Sequence, residues 1–168
     1  PEYDPRRKTG KILMKFQDFL VPHMKDIHTF YLDGPEECTP FLMQGFTTLA
    51  LAGNFDVPAY SKWLETADHD PTYRHHHRIL QTLQWSYPGG SWLLKSPSHV
   101  EAIDSLLKVY PDACFIQLHR DPVDAITSFA SLCAAFRGVY VKSLDMHKIG
   151  EQALETMAFG FDKYLEQR

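Results

Sequence analysis

Ser91-Trp92-Leu93-Leu94-Lys95-Ser96-Pro97 and, further along, Cys114-Phe115-Ile116-Gln117-Leu118-His119-Arg120-Asp121-Pro122 are the two stretches on which the fold turns. Each begins as a short apolar run that reads as a buried strand, and each closes on a cation, a capping residue and a proline. Between them Val100, Ile103, Leu107 and Tyr110 recur at helical spacing. Ser96 is the expected N-cap of that helix and Pro97 its first residue, with Ser98 and Glu101 as a competing capping box. Pro111-Asp112 stops it. Beyond Pro122, the residues Val123, Ile126, Phe129, Cys133 and Phe136 mark the inner side of a second helix. Strand, helix, strand, helix predicts a parallel α/β unit with a right-handed crossover. Parallel strands share a carboxyl edge, and such sheets bind ligands there. Lys95 and Arg120 are therefore expected at one edge, beside two helix N-termini that favour anions. Ser128 lies two helical turns beyond Asp121 and faces the same way. Arg120 and Ser128 could grip one phosphate, the guanidinium through paired N–H bonds and the hydroxyl through a third. The ligand expected here is a multiply charged phosphate or sulfate.

Upstream, Ile12, Phe16, Phe19, Leu20, Met24 and Ile27 recur at helical spacing, and Pro22 should break them into two pieces. Gly10-Lys11 lacks both a preceding strand and the Walker spacing, and reads as a charged helix start. A turn at Asp33-Gly34-Pro35 precedes Glu36 and Glu37, which open the long apolar run from Phe41 to Ala52 as acidic first-turn residues. Pro58 to Thr66 reads as a short helix carrying Trp63. Asp70-Pro71 reads as cap and first residue of a helix ending near Trp85, before Pro88-Gly89-Gly90. From Leu144 onward the pattern is a final amphipathic helix.

The 168 residues carry a net charge of −4, with 44% hydrophobic and 23% charged residues, the composition of one ordinary globular domain. With a pI near 6.1 there is no global attraction to nucleic acid, so anion binding must be local. Cys38, Cys114 and Cys133 are too few for a disulfide framework; Cys114 and Cys133 are expected as reduced core residues. No apolar run approaches the roughly 20 residues of a membrane span. No secretory signal opens the chain, although Pro1 suits an excised start, and a cytoplasmic location is expected. His75, His76 and His77 point around a helix rather than at one metal and read as a solvated face, while His23 and His28 lack partners at ligand spacing. No metal is expected. Trp63, Trp85 and Tyr73 could line an acceptor pocket, but such aromatics belong more often to a core.

The segments Trp92–His99, Tyr110-Pro111-Asp112-Ala113 and His119-Arg120-Asp121-Pro122 resemble the bacterial-type sulfotransferase family, a relative of cytosolic and tyrosylprotein sulfotransferases. The resemblance spans the chain and is strongest over 92–128. It implies a P-loop NTPase-like α/β fold, a parallel sheet flanked by helices, in a helix-rich single domain over 1–168. It further implies transfer of a sulfuryl group from 3′-phosphoadenosine 5′-phosphosulfate (PAPS) to an acceptor hydroxyl. In that family an Arg after a strand and a Ser eight positions on bind the 3′-phosphate of the donor, which implies Arg120 and Ser128. The family's lysine near the transferring group corresponds to Lys95, a third donor-binding candidate. Gly34-Pro35-Glu36-Glu37-Cys38 is similar to the family's Pro-Glu-Glu stretch, which implies Glu37 as general base with Glu36 beside it. The family's opening strand and phosphate loop are not found in the sequence, nor its C-terminal portion, so the chain reads as the middle of a longer enzyme.

Sulfuryl transfer resembles phosphoryl transfer, in which the protein positions the partners and stabilises charge on the leaving oxygen. Lys95 is expected to neutralise that oxygen, with Ser96 as a nearby hydrogen-bond donor. Glu37 is expected to take the acceptor proton, and His99 is the rival base. Phenol, peptide, lipid and carbohydrate hydroxyls are all open as acceptors. The alternative enzyme is a P-loop kinase-like nucleotide-dependent transferase, and the alternative outside catalysis is a binding remnant of the same fold.

Overall fold

The computed structural model describes residues 4–22 and 30–167. The helical piece expected beyond Pro22, with Met24 and Ile27, and the histidines His23 and His28 lie outside the described residues. Helix α1 runs from Pro5 to Leu20, with Asp4 as its N-cap accepting the Arg6 N–H at 2.9 Å. Asp4-Pro5 is a complete start signal, so Gly10-Lys11 sits inside this helix rather than at its start. Ile12, Phe16 and Phe19 remain exposed along it.

The apolar run after Glu37 does not form one helix. It divides into α2 (Thr39–Met43) and α3 (Leu49–Asn54), and Glu36 and Glu37 precede α2 instead of opening it. The break is forced by close packing. A Cβ at Gly45 would lie 2.7 Å from Thr72 Cβ, and the next residue, Phe46, takes the left-handed φ of 58°. Thr47 bonds the Thr72 hydroxyl at 2.5 Å, and Thr48 then caps α3 by accepting the Ala50 N–H. Helix α4 (Pro58–Leu64) carries an exposed Trp63.

Helix α5 spans Asp70–Ser86, ending where the sequence suggests. Asp70 is its first residue rather than its cap. Its carboxylate reaches across to Ser105 at 2.5 Å and Lys108 at 3.2 Å on α6 (Ile103–Val109), locking the two helices together. The triple histidine is not a solvated face. His76 is fully buried, His77 half-buried and only His75 exposed, because Tyr73 and His76 share the α5 stripe that meets α2 and α6. Tyr73 belongs to the core with Cys38, Leu42, Ala102 and Leu106, while Trp85 stands out in solvent.

Ser96 does cap the following turn, accepting the Ser98 N–H at 3.3 Å, but that turn is a 3₁₀ helix, Pro97–Glu101, which hands over to α6 at Ala102. Glu101 abandons the expected capping box and accepts the Leu49 N–H at the start of α3. Five residues of 3₁₀ helix carry little aligned dipole, so only one of the two expected anion-favouring helix starts is long enough to act as one. That one is α7 (Pro122–Arg137), where Asp121 accepts the Val123 N–H at 2.8 Å. Cys133 is buried on α7 as expected, whereas Val123 is exposed. Helix α8 (Met146–Gln167) packs along α7 and over the 3₁₀ turn, and Gln167 caps α6 by accepting the Ile103 N–H at 2.9 Å. The α7–α3 junction is held by Arg137, whose guanidinium donates to the Gly53 and Ala52 carbonyls at 3.0 Å.

The expected parallel sheet does not appear among the described residues: Ser91–Leu94 and Cys114–Leu118 enter no ladder. A strand exists only by its neighbours' hydrogen bonds, and here the side chains that adjoining layers would cover stand open. Leu93 is 94% exposed, and Ile116 and Leu118 are each 86% exposed. Cys114, expected in the core, is exposed for the same reason. No helix among the described residues is long and apolar enough to cross a membrane.

Candidate active site

The backbone builds the site by stitching two distant segments together. The Cys38 N–H donates to the Lys95 carbonyl at 2.8 Å, which brings the loop before α2 alongside the run ending at Lys95. Cys38 and Leu94 pack in the same cluster, so burial supports that hydrogen bond. As a result the Lys95 ammonium and Glu37 Oε1 form a direct ion pair across 58 residues of sequence. The Glu37 side chain is only 20% exposed, whereas Lys95 is open to solvent. Glu36 sits outside this pair and accepts the Glu37 N–H at 2.8 Å.

Behind the ion pair runs a string of hydroxyls. Thr39 Oγ1 donates to Glu37 Oε2 at 3.2 Å and lies 3.0 Å from Ser96 Oγ. Ser98 Oγ in turn lies 2.7 Å from Thr48 Oγ1. Ser96 and Ser98 are both buried. The structure thus unites three of the residues that the sequence singles out, Glu37, Lys95 and Ser96. It adds Thr39, which sequence reasoning missed: its partners lie in a segment that only folding brings near, and no local spacing announces them.

His99 faces another way. Its Nδ1 is 2.8 Å from the Tyr73 hydroxyl, and its ring lies against Tyr73 and His76. His76 repeats the arrangement with the Tyr110 hydroxyl at 2.7 Å. Burial pushes the pKa of His99 down to about 4, reinforced by His76 and opposed by the field of Glu37. His76 is likewise lowered to about 4, first by burial and then by the flanking His77 and His75. His99 is thus engaged with Tyr73 and His76 rather than with the Lys95–Glu37 pair.

Arg120 and Ser128 lie at the start and along the exposed side of α7. Among the described residues no carboxylate pairs with Arg120 and no hydrogen bond occupies the Ser128 hydroxyl. The Asp121 carboxylate, the nearest in sequence to Arg120, caps the helix instead. Both side chains are thus available to a ligand. The described residues contain no group of three or more His, Cys, Asp or Glu side chains placed to hold a metal ion. Taken together, the arrangement offers a solvent-exposed cation, a half-buried carboxylate and buried hydroxyls in one hydrogen-bonded cluster. Such a set can neutralise a leaving anion and accept a proton.

Comparison with known proteins identifies the family. A family model described as "Sulfotransferase family" matches residues 2–168, while no curated protein sequence matches the chain. Among solved structures, sulfotransferase STF1 from Mycobacterium tuberculosis superposes with a TM-score of 0.77 at 26% identity, over 97% of this chain and 47% of that one. Sulfotransferase STF9 from Mycobacterium avium superposes with a TM-score of 0.76 at 31% identity, over 98% of this chain and 43% of that one. The chain therefore spans less than half the length of these structures. With the match extending over nearly every residue, the chain belongs to the sulfotransferase family.

Proposed function

We propose that this chain carries the chemical centre of a sulfotransferase that moves a sulfuryl group from PAPS to an acceptor hydroxyl. The observation that carries the reading is the ion pair between Lys95 and Glu37, which sets a cation and a proton acceptor at one point. The acceptor oxygen attacks sulfur, the sulfur–oxygen bond to the 5′-phosphate breaks, and the hydroxyl proton passes to Glu37. Lys95 neutralises the charge left on the phosphate oxygen, and Ser96, whose hydroxyl is engaged with Thr39, caps the turn beside it. Because the Lys95 ammonium is the exposed member of the pair, its long stem can swing from Glu37 to the donor and leave the carboxylate free. Arg120 and Ser128 hold the 3′-phosphate, the guanidinium as a fork and the hydroxyl as a third donor. The open apolar faces at 91–94 and 114–118 suit strands of a parallel sheet completed by the remainder of such a fold. The acceptor is a small-molecule, lipid or carbohydrate hydroxyl, and the enzyme works in the cytoplasm.

Calorimetry on the full-length protein tests the donor assignment. Adenosine 3′,5′-bisphosphate should bind without magnesium, and Lys95→Ala should lower turnover by roughly 10²–10³. Magnesium-dependent binding of ATP in its place, or normal turnover by the Lys95→Ala enzyme, refutes the reading.

A further inference from the structure

The direction of the hydroxyl string behind Glu37 can be worked out from its ends. At one end Ser96 Oγ accepts the Ser98 N–H at 3.3 Å, which leaves the Ser96 proton free to be donated. At the other end a carboxylate can only accept, so the single Thr39 proton goes to Glu37 Oε2. The Thr39–Ser96 bond at 3.0 Å must then run from Ser96 to Thr39. All the members point their protons the same way, Ser98 N–H to Ser96, Ser96 to Thr39, Thr39 to Glu37. Aligned bonds of this kind polarise and strengthen one another.

We propose that Thr39 is a positioning residue for sulfuryl transfer: its hydroxyl holds the Glu37 carboxylate in a fixed orientation and ties it to the cap of the turn that follows Lys95. The proposal rests on the reading of Glu37 as the base. When Lys95 leaves Glu37 Oε1 for the donor, Thr39 is the contact that remains on Oε2. The carboxylate is then kept from rotating, with Oε1 left to face the acceptor hydroxyl. Holding a reacting group in place before the reaction removes a large entropic part of the barrier. Thr39 is the first residue of α2 and is half-buried, so its backbone is held by the helix start. The charged and titratable groups around Glu37 are Lys95 on the adjoining run, Glu36 and Cys38 on its own loop, and His99 on the 3₁₀ turn, whose pKa carries the field of Glu37.

The test uses Thr39→Val, which keeps the shape and removes the proton, with Thr39→Ser as the rescue, both in the full-length protein. The first readout is the pKa of Glu37 by carboxyl carbon NMR. A lost hydrogen bond to the charged form must raise it, and Thr39→Ser should return it to the parent value. The second readout is release of adenosine 3′,5′-bisphosphate from PAPS, with added alcohols or water as acceptor. Here kcat should fall roughly 10- to 100-fold for Thr39→Val, with the acid limb of its pH profile moved upward and the donor affinity unchanged. Should Thr39→Val unfold, Thr39→Ala compared with Thr39→Ser carries the same contrast. An unmoved Glu37 pKa and an unchanged kcat in the hydroxyl-free variant overturn the proposal. Glu37→Gln separates the two levels: full turnover in that enzyme defeats the base assignment itself, whereas an inactive Glu37→Gln beside a normal Thr39→Val defeats only the role of Thr39.

Discussion

Replacing Glu101 by glutamine changes a carboxyl that is only 4% exposed, set between the 3₁₀ turn and the start of α3. One oxygen accepts the Leu49 N–H at 3.1 Å, and the other is buried without a partner. Burial raises its pKa from 4.5 to about 8, partly opposed by the Leu49 hydrogen bond. Between those values the folded chain keeps a proton that the unfolded chain releases. The contribution is therefore fully present below 4.5 and is lost as pH rises through about 8. From pH 5 to pH 8 the loss integrates to roughly 3 kcal/mol, at about 1.4 kcal/mol per pH unit. Glutamine keeps an oxygen for Leu49 and has no proton to lose. The Glu101→Gln protein should track the parent near pH 5 and become the more stable of the two as pH rises. The gap in melting temperature at pH 8 should be roughly 6–12 °C for a domain of this size. Thermal unfolding followed by circular dichroism at half-unit steps reads this directly. Parallel stability curves for the two proteins across that range would refute the account of Glu101 as a buried neutral acid.

The histidine pair makes the opposite prediction on the acid side. His76 is neutral when folded and binds a proton when unfolded between about 4 and its ordinary 6.5, so it should remove roughly 3 kcal/mol of stability as pH drops through that window; His76→Gln should abolish that share in urea titrations and leave the arm due to His99. Gly45→Ala should destabilise by about 1–3 kcal/mol, because the new Cβ meets the Thr72 side chain in a fully packed contact; a denaturant midpoint equal to the parent's would contradict the packing described. Arg120→Lys should weaken adenosine 3′,5′-bisphosphate binding roughly 10-fold or more, since a point charge cannot reproduce the guanidinium fork; isothermal titration checks it, and unchanged affinity would remove Arg120 from the donor site.

Capping chemistry was readable in the sequence because it is local. Ser96-Pro97 and Asp121-Pro122 announce their caps within two residues, and the structure forms both caps, although the turn that Ser96 opens is 3₁₀ and the α-helix starts only at Ile103. The same locality explains the legibility of α5 and of the Cys133 face of α7, where a helical stripe repeats over several turns. The family itself was legible for a related reason, since its motif residues cluster within 92–128 and the match runs over 2–168. Tertiary structure alone decided the rest. That Glu37 meets Lys95, that Thr39 joins Glu37 to Ser96, and that Glu101 deserts its own capping box for Leu49 all depend on contacts between segments some fifty residues apart. Burial decided His76 and Cys114 in opposite senses. Spacing shows which side of an element a residue occupies, but whether another element covers that side is a property of the assembled chain.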